Sequence, residues 1–140
     1  MAARYWLIKS EPAAYGWDDL VRDGETLWDG VRNHRAAMNL RSMKVGETAF
    51  FYHSVTGKEI VGVAEISEAG LTDPKDPDGK WAAVRIRPVG ALERPVTLAE
   101  IKADKAFASF PLVRMSRLSV MPVTDADWTR IEKLSRSDRS

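Results

Sequence analysis

The chain has 140 residues, with 21 lysines and arginines against 20 aspartates and glutamates, a 44% hydrophobic fraction and no cysteine. That is the length of one domain, with enough apolar material to bury a core without metal or disulfide staples. Disulfides, thiolate nucleophiles and cysteine-based zinc sites are excluded, a total of two histidines argues against a metal centre, and a formal net charge of +1 gives no long-range pull on duplex DNA while leaving room for a local basic patch.

Neither metal nor cofactor is expected. Met1-Ala2-Ala3-Arg4-Tyr5 lacks the apolar core of a signal peptide, and no run approaches the roughly 20 apolar residues of a membrane span, so the expected location is cytoplasmic.

Tyr5 to Ile8 reads as a first strand, halted by Lys9-Ser10-Glu11 and then by Pro12, which has no amide hydrogen for a ladder. A short helix from about Gly16 to Arg22 ends at Gly24. After a loop carrying Trp28, Asn33 caps a second helix that runs to about Met43, with Ala36, Met38 and Leu40 as packing residues. Val45-Gly46 turns the chain into a strand from Thr48 to His53, and Lys58 to Ser67 forms the next. Thr72 to Gly79 is dense in turn residues and reads as an exposed, mobile loop. Trp81 to Pro88 alternates, placing Trp81, Ala83, Arg85 and Arg87 on one face and Ala82, Val84 and Ile86 on the other. Thr97 and Glu100 have capping-box spacing for a short helix. Val113 to Val120 reads as a strand, and Thr124-Asp125 opens a final helix that docks Trp128, Ile131 and Leu134. The mixture fits an α+β domain around a curved, partly closed sheet, spanning residues 1–135, with 136–140 as a frayed tail.

Trp28 stands in Trp28-Asp29-Gly30-Val31-Arg32-Asn33, beside a carboxylate, a glycine, a guanidinium and an amide rather than inside an apolar run. An indole edged by donors and acceptors suits stacking on a planar ligand and reading that ligand's edge. Two other apolar runs end in polar side chains in the same way: Trp6-Leu7-Ile8-Lys9-Ser10-Glu11-Pro12 and Phe50-Phe51-Tyr52-His53-Ser54.

These segments, with Gly62-Val63-Ala64-Glu65, Arg94-Pro95-Val96-Thr97-Leu98 and Ser116-Arg117-Leu118-Ser119-Val120-Met121-Pro122-Val123, resemble an EVE domain over about the whole chain. The pattern is also similar to the YTH domain, a reader of methylated adenine in RNA. The resemblance implies a PUA-like pseudo-barrel of mostly antiparallel β-strands with short helices packed around it. It implies a single-domain, non-catalytic module; the oligomeric state stays open, with a monomer favoured. That module would bind a modified base, above all a modified cytosine such as 5-methylcytosine, in DNA or RNA that is single-stranded or has the base flipped out. Residue by residue, it makes Trp28 one wall of an aromatic pocket, with Lys9, Ser10, Glu11, Asp29, Asn33, His53 and Ser54 along the rim. Tyr52 or Phe51 would give a second aromatic surface; alternation sends the two to opposite sides of the sheet and leaves open which one serves. Arg32, Arg35, Arg114 and Arg117 would meet phosphates, and Ser116, Leu118 and Ser119 would close a pocket wall. The chain departs from the family pattern in its short Leu71 to Lys80 connection, and in His34 and Ala37 where a tyrosine and an arginine are common.

Each of these residues also has a purely structural use. Trp6, Trp17, Trp81 and Trp128 read as packing residues, Asn33 as a helix cap, His53 as a partner for a backbone group, and Ser10-Glu11 as a turn. Arg32 and Arg117 could pair with Asp29 or Glu11. An alternative function is a small hydrolase of a modified nucleobase or nucleoside, with Lys9 as an activated amine, Ser10 nearby and Glu11 as acid or base, since Lys9 and Glu11 share one face of a strand. No nucleophile motif or triad accompanies them.

Overall fold

The computed structural model describes residues 5–136. In chain order the elements are β1 (Tyr5–Ser10), α1 (Trp17–Asp23), β2 (Thr26–Trp28), α2 (His34–Ser42), β3 (Thr48–His53), β4 (Glu59–Thr72), β5 (Ala82–Thr97), α3 (Leu98–Ala103), a single 3-10 turn (Lys105–Phe107), α4 (Pro111–Arg114), β6 (Val120–Val123) and α5 (Asp125–Arg136). Among the described residues the strands form one open sheet in the order β2-β5-β4-β3-β1-β6. Only the β1–β3 pairing is parallel. The arrangement is an α+β pseudo-barrel.

Local chemistry sets most of the element ends. Gly24 takes a left-handed φ of 75° and returns its N–H to the Leu20 carbonyl at 2.8 Å, closing α1. Asn33 Oδ1 accepts the Ala36 N–H at 2.9 Å and opens α2. Thr97 and Glu100 complete the capping box at the start of α3. Asp127 donates its N–H to Thr124 Oγ1 at 3.1 Å where α5 begins.

The core lies on both sides of the β1–β3 pair. On one side Trp128 of α5 stacks on Phe50 (3.7 Å between ring centroids) and on Tyr5 (4.3 Å). Each such aromatic pair adds about 0.5–1.5 kcal/mol beyond the area it buries. On the other side Phe51, fully buried, meets the edges of Trp17 (5.6 Å) and Trp28 (5.7 Å). β2 is three strand spacings from β3, about 14 Å in a flat sheet, so the contact between Trp28 and Phe51 requires the sheet to curl into a concave face. A bulge in β4 opposite Phe51 and Tyr52, with Val61 as the extra residue, increases that local bend.

The structure corrects several expectations. Val113 to Val120 is not a strand: Pro111 starts the short α4, the Met115 N–H bonds back to the Pro111 carbonyl at 2.7 Å, and pairing resumes only at Val120. Ser116, Arg117, Leu118 and Ser119 therefore form a turn, fastened to β1 by a 2.9 Å bond from the Lys9 N–H to the Ser119 carbonyl. Trp28 ends a short strand rather than sitting in a loop. β4 and β5 run longer than expected, because paired antiparallel neighbours keep satisfying each other's backbone through several register shifts. Met38 is exposed, and Ala37 packs in its place. α5 runs to Arg136; the rest of the expected tail lies outside the described residues. Among the described residues no helix is long and apolar enough to cross a membrane.

Candidate functional site

Trp28 lines a cleft of about 280 Å³ together with Tyr15, Thr26, Leu27 and Asp29. The indole is half-buried, its inner edge on Phe51 and Tyr15 standing across at 6.3 Å and 73°. Tyr15 is held by a 2.9 Å bond from its hydroxyl to Asp23 Oδ2, and Ser10 Oγ donates to the Tyr15 carbonyl. The Glu11 carbonyl accepts from the Ala14 and Tyr15 N–H groups, so Ser10-Glu11 forms the turn that presents Tyr15 to the cleft. Burial lowers the pKa of His53 against weaker pulls from Glu59 and Asp18, which keeps the ring neutral at pH 7. Its Nε2 accepts the Trp17 N–H at 3.0 Å, which places the ring proton on Nδ1.

A buried carboxylate braces the segment after Trp28. Asp73 is 0% exposed. Its Oδ2 accepts from the Gly30 N–H (2.7 Å) and from Arg32 Nη1 (2.8 Å), and its Oδ1 from the Lys75 N–H (2.8 Å). Burial pushes this carboxyl upward, but the bonds from Arg32, Lys75 and Gly30 outweigh it and hold the pKa at about 2. Asp76 accepts from the N–H groups of Asp78, Lys80 and Trp81. The connection from Thr72 to Gly79 is thus an ordered clamp and not the free loop its composition implies. Arg32 pairs with Asp73 rather than with Asp29 or Glu11; Asp29 instead meets Lys75 at 3.6 Å.

Lys9, Tyr52 and Ser54 are elsewhere. The parallel register pairs Lys9 with Tyr52 on the face opposite Phe51, and the Lys9 ammonium lies 5.9 Å from the Tyr52 ring centre. Lys9 Nζ also donates to the Ser116 carbonyl at 2.8 Å. Both side chains line a separate cavity of about 250 Å³. Phe51, and not Tyr52, is the β3 aromatic that backs Trp28. Glu11 is exposed and does not line the Lys9 cavity, so the acid–base pair required by the hydrolase alternative is not assembled.

The basic residues gather in a third place. Arg35, Arg114 and Arg117 surround a cavity of about 370 Å³ with Asn33, Met115, Ser116 and Leu118. Ser119 contributes its carbonyl to β1 and is not part of that lining.

Residues 4–134 match the family profile of the EVE domain. The chain belongs to the EVE domain family. Human thymocyte nuclear protein 1 is 32% identical over 97% of this chain and 76% of its own length. Among solved structures, Rpa0253 from Rhodopseudomonas palustris is 46% identical with a TM-score of 0.90, covering 94% of this chain and 92% of that one. The human THYN1 protein, crystallised in complex with 5-methylcytosine-containing DNA, is 32% identical with a TM-score of 0.86, covering 96% and 99%.

Three features of this EVE domain were not legible as site residues in its sequence. Tyr15 reads as part of the turn between Pro12 and the first helix, and the bonds that aim it at Trp28, to Glu11 and Ser10 through its backbone and to Asp23 through its hydroxyl, appear only in the fold. Asp73 reads as one more turn aspartate, although the neighbouring Pro74 and the run of acids marked a structured turn. Trp81 is half-exposed instead of core: His34 stacks on it at 4.9 Å and 28°, with Arg32 and Lys80 over the ring at 5.5 and 5.3 Å. Such cation–aromatic contacts are worth about 0.5–1 kcal/mol each at an exposed site.

Proposed function

We propose that this EVE domain is a non-catalytic reader of a modified base, with modified cytosine in DNA as its ligand. The observation that carries the reading is the half-buried Trp28 indole, walling an open cleft with Tyr15 and Asp29 and fixed from behind by Phe51. A base drawn out of its stack loses a few kcal/mol, and one aromatic face returns about 1–3. The Trp28 and Tyr15 rings together, with polar groups at the base edge, make the exchange favourable. The resemblance to human THYN1, crystallised with 5-methylcytosine DNA, supports cytosine over other bases.

Asp29, beside Trp28 in the lining, supplies an acceptor to the cleft, the kind of group that discriminates one base edge from another. Arg35, Arg114 and Arg117 take the flanking phosphates. No ion pair engages them among the described residues, and the stretch from Trp28 to Arg35 leads from the cleft towards them. Arg32, committed to Asp73, positions the cleft rather than the strand.

The test is a set of short oligonucleotides differing only at one cytosine, unmodified, 5-methyl or 5-hydroxymethyl, measured at a fixed salt concentration. Trp28→Ala should lose at least about tenfold in affinity for the preferred strand, equivalent to about 1.4 kcal/mol, while Trp81→Ala changes it far less. Equal affinity for all three oligonucleotides, or equal losses from the two substitutions, would overturn the reading.

A further inference from the structure

The cavity on the opposite face of the sheet from Trp28 has a lining that base reading does not use. Lys9, Lys58 and Lys102 all face it, joined by the Tyr52 side chain, Ser54 and Ser116, with Val55, Leu98, Leu112 and Val113 as its apolar part. Three lysines and no carboxylate line this one space. The nearby acids are engaged elsewhere: Glu100 with Arg94 and the Thr97 cap, Asp104 with Arg130, and Glu59 on the His53 side of the sheet. Lys58 and Lys102 have no ion-pair partner among the described residues. Three cationic side chains and no anionic one give the cavity a positive lining that an anion would neutralise.

The frame of the cavity is built and not incidental. Lys9 is anchored by its bond to the Ser116 carbonyl, the Ser54 N–H bonds to the Ser10 carbonyl at 2.8 Å, and the Leu98 N–H bonds to the Lys58 carbonyl at 2.9 Å. The Ser54 to Lys58 turn holds two non-glycine residues, Val55 and Lys58, at left-handed φ values of 67° and 45°. Such conformations carry a cost and persist where surrounding contacts enforce them. At about 250 Å³ the space exceeds that of a few waters, yet lies at the small end of ligand pockets.

We infer that this cavity is a second ligand site that takes a small phosphate ester, its phosphate between Lys58, Lys102 and Lys9 and its apolar body on Leu98, Leu112 and Val113. The inference is independent of how the Trp28 cleft is used. Burial raises the Tyr52 pKa and so keeps its hydroxyl a donor, whereas it depresses that of Lys9, and an anion beside the ammonium opposes that depression.

The experiment titrates the full chain with inorganic phosphate, with phenyl phosphate and with an unmodified oligonucleotide, following backbone amide shifts. Phosphate and phenyl phosphate should move the amides of Ser54, Val55, Lys58, Leu98 and Ser116 and leave those from Tyr15 to Asp29 in place, with phenyl phosphate the tighter. The Lys58→Ala/Lys102→Ala variant should weaken phenyl phosphate at least about tenfold, and Lys102→Gln alone by a smaller factor, both with an unchanged Tm. Lys133→Ala, on α5, should leave binding as it is. Shifts spread over all surface lysines, no response to either phosphate, or retained affinity in the double variant would overturn the inference. So would a response to the oligonucleotide alone, which would make the cavity part of the nucleic-acid interface.

Discussion

Replacing Asp73 by alanine tests the idea that a buried carboxylate, separated from Trp28 along the chain by the two strands β3 and β4, holds the base cleft in shape. The substitution removes three charge-assisted hydrogen bonds, from Gly30, Arg32 and Lys75. Bonds to charged groups contribute about 1.5–3 kcal/mol each. Full additivity does not apply here, because Gly30, Arg32 and Lys75 are exposed and water takes over part of what the carboxylate gave. A net loss of about 2–3 kcal/mol follows, close to one fully retained bond, or roughly 6–12 °C in Tm for a domain of this size. Urea unfolding gives the free energy, and hydrogen exchange at the Gly30 amide shows whether the loss is local to the clamp. The same variant should bind the modified strand more weakly, because the turn after Trp28 is then free to open. Acid supplies a second reading of the brace: the folded pKa of about 2 lies below the unfolded 3.8. The stabilisation is therefore present above that unfolded value and disappears as pH falls through the folded one, and Asp73→Asn should flatten this limb of the stability profile. A loss below about 1 kcal/mol in Asp73→Ala with unchanged Gly30 exchange would refute the reasoning.

Further outcomes follow from other contacts. Gly62→Ala puts a Cβ 2.6–2.7 Å from the buried Trp17 ring, so urea unfolding should show a loss of about 1–3 kcal/mol from overpacking. His53 has a folded pKa below its usual value, so the unfolded chain takes up the proton first; stability should fall on going from about pH 7 to about pH 5.5, and His53→Gln should remove that slope. If Arg114 and Arg117 each meet a phosphate, substituting either by alanine should reduce the slope of log affinity against log salt by roughly 1 without changing the preference among cytosine forms. Thr97→Ala breaks the capping box at α3 and should lower stability by about 0.5–2 kcal/mol in thermal or chemical unfolding.

The sequence alone determined what depends on neighbours within a few positions. The Asn33 and Thr97 caps, the Gly24 stop, the start of β3 at Thr48 and the docking of Trp128 and Ile131 are all local or periodic signals, and the matched motifs carried the family and its pseudo-barrel fold. Local signals also misled where a competing local cue was stronger: Pro111 broke the apolar run from Val113 into a helical turn, and clustered turn residues hid the order around Asp73. Tertiary structure alone decided which groups meet. Whether Phe51 or Tyr52 backs Trp28 depends on the face each strand turns to its neighbours, and one position of alternation separates the two outcomes. That same alternation moved Lys9 away from the indole into its own cavity, and the curl of the sheet brought β2 across to β3. A chain records its turns and faces one residue at a time, but the sites form between residues 13 to 107 positions apart, from Tyr15 and Trp28 to Lys9 and Ser116, where packing of the whole core fixes the distances.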